Sequence, residues 1–303
     1  MKTFALRLKK NKKRGNIRIK FDVDKLKDPN ILTTFQANIG GRFAPLLALD
    51  NDQDLTPDDL TETFNETLHE CGQNHGPSHW SSPYPKKGNL KLCQNYRTIS
   101  LISHPSKVIL KVILNRLKPE AEKIIAEEQA GFRPGRSTVE QICNVRILME
   151  KYLQHQQELH HVFIDFKKAF DRVWHEALWS TMRKYNINSN LISVIENLYN
   201  KATSAVFCNN NIGDWFRTTV GVRQGCLLPP TFFNIFLERI MSDALEDHCG
   251  TVSIGGRPIT NLRFADDIDG LAGNECELAS LVEQLDKASS NFNMAISLRK
   301  RRL

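Results

Sequence analysis

The stretch 261–272, NLRFADDIDGLA, places two adjacent carboxylates, Asp266 and Asp267, between apolar residues on both sides. We expect a hairpin over this stretch, with the two acids at its bend. Holding two ionised carboxylates side by side near a core costs free energy unless a cation compensates them. The pair is therefore either a polar turn or one half of a cation site.

A second acid stands in a segment that is otherwise apolar. Val162, Ile164 and Phe166 alternate with period two, which predicts a strand with one buried face and with Asp165 on the other face. Aspartate is depleted in strands, so this position needs an explanation. Asp165 is either a buried acid paired with a lysine or arginine, or a metal ligand. Two-metal phosphoryl transfer uses carboxylates from different strands, so the metal explanation requires the two acidic segments to be neighbours.

The remaining sequence predicts helices interleaved with short strands. Apolar residues recur at helical spacing in four segments: 108–126, 142–152, 233–245 and 278–288. The first of these is expected to break or kink at Pro119. Strands are expected at 204–207 and 216–220, joined as a hairpin through turn residues between them. This mixture predicts an α+β fold, in which helices pack on one face of an antiparallel sheet.

The first 78 residues differ in composition from the rest. Positions 1–20 carry nine basic residues and no acidic one, an acidic cluster follows at 50–59, and 71–87 is rich in Gly, Ser, His and Pro. Such a pattern is typical of a polar leader that ends in a junction. We therefore predict a leader over 1–78 and a folded domain over 79–303.

The net charge of +7 and the pI near 9.0 favour an acidic partner, with nucleic acid the commonest and a membrane surface the alternative. The seven cysteines lack the spacing of a zinc site, which predicts reduced, buried thiols. No apolar run approaches the ~20 residues that span a bilayer, and no signal peptide is evident. We expect a nuclear or cytoplasmic protein that is not secreted and has no membrane partner.

Five blocks of sequence, in this order, resemble the reverse transcriptases of non-LTR (LINE-type) retrotransposons. They are 95–101 (NYRTISL), 128–138 (EQAGFRPGRST), 163–171 (FIDFKKAFD), 221–228 (GVRQGCLL) and 264–267 (FADD). The blocks lie in the family's order and at family-like spacing, and the resemblance extends from about residue 85 to 300. A single block would be weak evidence, whereas five ordered blocks are a specific signal.

The resemblance implies a right-hand polymerase with fingers and palm, which copies an RNA template into DNA. It would extend a DNA primer with deoxynucleoside triphosphates, using two Mg²⁺ ions or Mn²⁺ in their place. By the same resemblance, Asp165, Asp266 and Asp267 are the catalytic and metal-binding triad. The resemblance implies nothing about the oligomeric state.

Further residues acquire roles from the resemblance. The residues that match nucleotide-binding positions are Arg97, Phe166, Phe170, Gln224, Gly225 and Lys300, and those that match template-binding positions are Arg133, Arg136 and Arg223. Phe170 matches the aromatic gate that would clash with a ribose 2′-hydroxyl. Arg97 matches the fingers arginine that grips the triphosphate, for which a guanidinium fork is suited. Three bland alternatives stay open at the level of sequence: Phe170 as an ordinary core phenylalanine, 223–225 as a polar turn before a helix, and 129–137 as a basic surface turn.

Three departures from the family pattern stand out. After Trp80, residues 81–84 (SSPY) stand where the family carries a longer fingers segment, so a fingers strand is expected to be missing there. Pro229 replaces the usual serine before a helix, where proline in the first turn is tolerated. The sequence ends at Leu303, before the family's primer grip and thumb, so we expect fingers and palm with the thumb absent. Because a thumb supplies many backbone contacts, the grip on primer and template should be weak.

Three functions of different classes remain open from the sequence. The first is a catalytic RNA-directed DNA polymerase, favoured by the acid triad. The second is a catalytically dead, nucleic-acid-binding remnant of a mobile element, favoured by the missing thumb and the shortened fingers. The third is a palm-type polymerase that makes RNA, against which Phe170 argues.

Overall fold

The computed structural model describes Pro29, Asn89 and residues 79–85, 95–102, 104–208 and 211–299. Of the two units into which the chain divides, 1–44 and 45–303, the second contains every described residue except Pro29. The predicted leader over 1–78 therefore falls almost entirely outside the described residues. Its boundary with the domain over 79–303 stays a prediction.

Seven helices and ten strands make up the described part of the chain. The helices are α1 (His104–Ile124), α2 (Thr138–Gln154), α3 (Ala169–Arg172), α4 (His175–Lys184), α5 (Ser189–Asn200), α6 (Pro229–Leu245) and α7 (Glu275–Asn291). The strands are β1 (His79–Pro85), β2 (Tyr96–Leu101), β3 (His160–Phe166), β4 (Ser204–Cys208), β5 (Asn211–Ile212), β6 (Ser253–Ile254), β7 (Arg257–Pro258), β8 (Asn261–Phe264), β9 (Asp267–Ala272) and β10 (Ile296–Arg299).

The central sheet has the strand order β10-β3-β9-β8, and every neighbouring pair is antiparallel. Val162, Ile164 and Phe166 of β3 are buried, as the period-two alternation predicts. Helix α7 packs on β3 and β9, and α6 packs on α7. The predicted α+β architecture, an antiparallel sheet packed on helices, is confirmed.

Part of the second face of this sheet is also covered. Leu148 of α2 packs in one buried cluster with Val252, Leu262 and Leu271. The N-terminal half of α2 leaves its apolar side chains more open, and Ile142 is 67% exposed. Helix α2 thus closes one end of this face and leaves the other end accessible.

The second sheet, of order β2-β1-β4-β5, contains a strand that the sequence did not predict. Strand β1 occupies the stretch that composition indicated as a junction, and it contains Pro83 and Pro85. Proline cannot donate to a ladder, so it is tolerated where one side of a strand is unpaired. Only His79–Ser81 pair with β4, so both prolines lie beyond that ladder and face β2 alone.

Of the two outcomes predicted at Pro119, the break is wrong, because α1 (His104–Ile124) runs through it without interruption. A kink at this position stays a prediction. Pro119 cannot donate to the carbonyl of Asn115, one turn earlier. Both residues are exposed, so water can take the place of the lost donor.

The predicted hairpin between 204–207 and 216–220 is also wrong in its second strand. The antiparallel partner of β4 is β5, with Phe207 opposite Ile212. Phe216 and Val220 form only isolated bridges, to Ser204 and Trp174. Residues 211–220 are exposed throughout, so no buried face stabilises a longer strand there.

Five cysteines fall among the described residues, and all five are free. The expectation that they are buried is wrong for most of them. Cys143, Cys208, Cys249 and Cys276 are exposed, and only Cys226 is partly buried. Among the described residues, no helix has the length and apolarity needed to cross a bilayer.

Candidate active site

The hairpin expected over 261–272 is confirmed as β8 and β9, with Ala265 and Asp266 forming the turn and Asp267 opening β9. Phe264 pairs with Asp267 across this turn. Ala265 has a φ of +59° and lies in the left-handed region, which a residue with a Cβ adopts at a cost. The two acids therefore lie at a tight and conformationally demanding bend.

Strand β3 runs antiparallel beside β9, so the two acidic segments are neighbours. The last hydrogen-bonded pair between the strands joins Ile164 with Ile268. One step further in the same register, Asp165 comes opposite Asp267. On its other side Asp165 pairs with Ser297 of β10. A metal-ligand role for Asp165 requires the two acidic segments to be neighbours. The fold brings both segments to the same end of one sheet, as that role requires.

The acids border an open cleft of about 510 Å³ between α2 and the sheet. Asp165 and Asp267 line it together with Phe163, Ile142 and Val145. Asp267 is exposed and Asp165 is half-buried. A bulky substrate could therefore reach these carboxylates from solvent.

The donor chemistry of this end of the sheet suits a hard divalent cation, which prefers carboxylate oxygens. Among the described residues, no group of three His, Cys, Asp or Glu side chains is already arranged to hold an ion. Mg²⁺ commonly takes only one or two protein carboxylates and completes its shell with water and substrate phosphates.

Asp269, the second acid of β9, is buried at 7% exposure. Its carboxylate lies 3.1 Å from Nδ1 of His161 on β3, and both side chains are shielded from water. Asp269 thus has a partner of its own within the sheet.

Phe170 lies on α3 between two other aromatic rings. It stacks on Phe233 with ring centroids 4.9 Å apart and an interplanar angle of 26°, and it meets Phe132 edge-on at 6.1 Å. Its carbonyl accepts a hydrogen bond from the backbone N–H of Val222 at 2.8 Å. These contacts hold the ring in one position.

Phe166 is only 3% exposed, so a contact between this residue and a nucleotide would have to come from its backbone.

Gln224 and Gly225 join three of the five sequence blocks. Gln224 donates from Nε2 to Oδ1 of Asp171 at 3.0 Å, and its carbonyl accepts from the backbone N–H of Ser100 at 2.8 Å. Gly225 has a φ of +101°, and a Cβ there would lie 2.9 Å from the Ser100 carbonyl oxygen. Glycine is therefore required for this close approach. The fold brings 221–228 against both 95–101 and 163–171.

Arg97 and Lys300 are the two predicted nucleotide-binding residues with a positive charge, and the structure describes neither side chain. The backbone of Arg97 lies in β2, opposite Tyr84, and its side chain is outside the described part of the structure. Lys300 is outside the described residues altogether. Both assignments stay predictions.

Arg133 and Arg136 are both engaged within the protein. The Arg133 side chain is 7% exposed, and it donates to Glu122 at 2.9 Å and to the carbonyl of Ala126 at 2.7 Å. Arg136 pairs with Glu127 and with Glu140, and its hydrogen bond holds the pKa of Glu127 below the usual value. Arg133 thus stabilises the backbone at the start of the loop 129–137, whereas the side chain of Arg136 is the more exposed of the two.

Arg223 packs with its guanidinium carbon 5.1 Å above the ring of Tyr199 on α5. Burial lowers the pKa of Arg223 and raises that of Tyr199. A cation over an aromatic ring gains electrostatic stabilisation, which offsets part of that burial. The template-binding role of Arg223 stays a prediction.

Gln129 is a residue that the sequence placed only within a template-contacting loop. It is 1% exposed, and its side chain hydrogen-bonds to Ala265 in the turn between β8 and β9. No local periodicity signals this contact, because the two residues are 136 positions apart.

Comparison with solved structures shows the fold alone. A telomerase from Candida albicans, solved in complex with a fragment of telomeric RNA, aligns with a TM-score of 0.53 at 12% identity. The alignment covers 77% of this chain and 44% of the telomerase chain.

Comparison with sequences supports the resemblance to non-LTR retrotransposon polymerases. A probable RNA-directed DNA polymerase from transposon BS of Drosophila melanogaster is 32% identical over 47% of this chain, and the chain spans 16% of that protein. An RNA-directed DNA polymerase from the mobile element jockey of the same species is 27% identical over 68% of this chain, of which the chain spans 23%. The family model described as reverse transcriptase (RNA-dependent DNA polymerase) matches residues 84–303. The chain therefore belongs to the reverse transcriptase family.

Proposed function

We propose that this chain is the polymerase core of a retrotransposon RNA-directed DNA polymerase, built on residues 79–303 behind a leader over 1–78. The observation that carries the proposal is the register of β3 and β9, which continues to bring Asp165 opposite Asp267. Two acids from distant sequence blocks meet there beside an open cleft. This is the arrangement that two-metal nucleotidyl transfer requires.

In this proposal Asp165, Asp266 and Asp267 hold two Mg²⁺ ions, for which Mn²⁺ could substitute. When bound, the ions would favour deprotonation of the primer 3′-hydroxyl and stabilise the charge that develops on the leaving pyrophosphate. The 3′-oxygen forms a bond to the α-phosphorus as the bond to pyrophosphate breaks, with inversion at phosphorus. The protein's part is to fix the Asp165 and Asp267 carboxylates on strands and the Asp266 carboxylate in the turn between β8 and β9, so that the reacting atoms are aligned.

The deoxynucleotide would lie against α3 and the neighbouring loop 221–228, which hydrogen bonds join to each other. Phe170, held between Phe233 and Phe132, is the proposed gate against a 2′-hydroxyl. Gln224 and Gly225 would contact the nucleotide from the neighbouring loop. Arg97 and Lys300 would supply positive charge to the triphosphate, and Phe166 would contribute backbone groups.

The proposed partners are an RNA template and a DNA primer, in keeping with the net charge of +7. Arg133, Arg136 and Arg223 remain the proposed template-binding residues. Arg136 is best placed to exchange its acidic partners for phosphates, since its side chain is 29% exposed. The proposed location is nuclear or cytoplasmic, where such templates occur.

A primer-extension assay tests the proposal, with the full 303-residue chain, a primed RNA template, deoxynucleotides and Mg²⁺. We expect Asp266→Asn to lower the rate of incorporation about a thousandfold, because several kcal/mol of metal-dependent stabilisation correspond to about three powers of ten. Asp247→Asn, at an exposed acid just beyond α6, is the matched control and should keep the wild-type rate.

Two results would count against the proposal. Activity that survives Asp266→Asn would exclude this acid as a metal ligand. Salt-dependent RNA binding without incorporation at any Mg²⁺ concentration would favour a nucleic-acid-binding remnant instead.

A further inference from the structure

The turn that carries Asp266 has an unfavourable backbone conformation, so contacts with other segments have to stabilise it. Ala265 adopts a φ of +59°, where its Cβ approaches the backbone. It is also buried, at 5% exposure, so its peptide groups cannot rely on water for hydrogen bonds. The direction of the next residue, Asp266, depends on how these peptide groups are oriented.

A single side chain, that of Gln129, binds both peptide groups of Ala265. Its Oε1 accepts a hydrogen bond from the Ala265 N–H at 2.9 Å, and its Nε2 donates to the Ala265 carbonyl at 3.1 Å. The same Oε1 accepts from the N–H of Gly131 at 2.8 Å. The amide thus pairs with the turn as an adjacent strand would, and all three bonds are buried.

The backbone that carries Gln129 is itself fixed to β8. Ala130 donates to the Arg263 carbonyl at 2.9 Å, and the Arg263 N–H donates to the carbonyl of Glu128 at 2.9 Å. Asn234 of α6 donates from Nδ2 to the Gly131 carbonyl at 2.8 Å. The glutamine therefore reaches the turn from a rigid support.

We infer that Gln129 is a positioning residue for the acidic turn, which sets the directions of the Asp266 and Asp267 carboxylates relative to Asp165. This inference rests on the proposed function of those acids. Gln129 touches no substrate and acts only through Ala265. Losing it would leave buried donors and acceptors without partners, and the turn would relax away from its present conformation.

Two substitutions at this site test the inference without opening a cavity. Gln129→Met keeps the approximate volume and removes all three hydrogen bonds. Gln129→Glu, when ionised, can still accept from both N–H groups but cannot donate to the Ala265 carbonyl. Gln141→Met is the matched comparator, because Gln141 donates to the carbonyls of Glu128 and Arg263 but has no bond to the turn.

Hydrogen exchange reports on the turn without requiring catalysis. We expect amide exchange in peptides that cover 264–268 to rise at least about tenfold in Gln129→Met, by an intermediate factor in Gln129→Glu, and by less than about threefold in Gln141→Met. Unchanged exchange in Gln129→Met would overturn the inference, whatever the activity of the protein.

Steady-state primer extension separates positioning from binding. In Gln129→Met we expect kcat to fall by about ten- to a hundredfold, with KM for the deoxynucleotide within about threefold of wild type. An unchanged kcat, or a loss confined to KM, would overturn the inference.

Mn²⁺ titration followed by electron paramagnetic resonance keeps the two proposals distinguishable. If the wild-type chain incorporates no nucleotide, the proposed function fails, and Mn²⁺ binding then decides the positioning role. We expect about tenfold weaker Mn²⁺ binding in Gln129→Met than in wild type, because misdirected carboxylates coordinate poorly. Equal affinity in the two proteins would overturn the inference.

Discussion

Replacing Gly131 with alanine should displace the acidic turn directly. An ideal Cβ at this position would lie 2.1 Å from the backbone nitrogen of Ala265 and 2.7 Å from its Cα. Ordinary contact begins near 3.4 Å, so the two segments must separate by about 1.3 Å, the difference between 3.4 and 2.1 Å. The obstructing atoms belong to the backbone, so no side-chain rotation relieves the clash.

The expected loss of activity exceeds the expected loss of stability. A misplacement of about 1 Å at a reacting centre costs about a hundredfold in rate, or about 2.7 kcal/mol of transition-state stabilisation. Overpacking lowers the free energy of unfolding by about 1–3 kcal/mol. Replacing glycine with alanine also lowers the conformational entropy of the unfolded chain, which raises the free energy of unfolding by about 0.4–1 kcal/mol. The net destabilisation should leave the protein folded, with the rate of nucleotide incorporation reduced about a hundredfold.

Single-turnover primer extension and guanidinium-induced unfolding measure the two effects separately. Gly213→Ala is the control, since a Cβ at Gly213 would meet only the Val206 carbonyl oxygen, at 3.5 Å. This control should keep both the wild-type rate and the wild-type stability. A Gly131→Ala protein with the wild-type rate would refute the claim that the geometry of this turn limits catalysis.

Two further predictions concern Phe170 and His175. Phe170→Val should raise the incorporation of ribonucleotides relative to deoxynucleotides by about tenfold or more, measured by competitive primer extension, because the bulk that faces the 2′-hydroxyl is lost. Phe292→Val is its control, and equal discrimination in Phe170→Val and wild type would contradict the gate. Burial, and to a lesser extent the charge of Arg223, hold the pKa of His175 below its usual 6.5. Below about pH 6.5 the unfolded chain therefore binds a proton that the folded chain does not. The free energy of unfolding should fall with decreasing pH in this range, by at most about 1.4 kcal/mol per pH unit. His175→Gln, which can still donate to the Gly221 carbonyl, should flatten this slope in denaturation curves from pH 5 to 8, and an unchanged slope would contradict the prediction.

Local sequence was sufficient to locate the acids and the strands that carry them. The period-two alternation of Val162, Ile164 and Phe166 predicted a buried face and placed Asp165 on the other, and β3 confirms it. The acidic pair at 266–267 predicted a hairpin bend, and β8 and β9 confirm that too. Both inferences depend on neighbours within a few residues, which is the range over which periodicity and turn chemistry act.

Predictions from local sequence were wrong at the prolines, where solvent or a distant strand determines the conformation. Pro119 continues a helix because the lost hydrogen bond faces solvent. Pro83 and Pro85 belong to a strand because β4 pairs with only the other end of it. In both cases the residue's own preference was known, and its surroundings decided whether the preference mattered.

The sequence by itself indicated the family, identified the three acids that are proposed as metal ligands, and determined the strand alternation that points Asp165 away from the core. Only the tertiary structure decided which strand lies beside β3, and that Gln129 binds a turn 136 residues later in the chain. The physical reason is the range of the interactions involved. Side-chain direction and turn formation follow from adjacent residues, whereas strand order and buried amide pairing arise when separate segments close a common core.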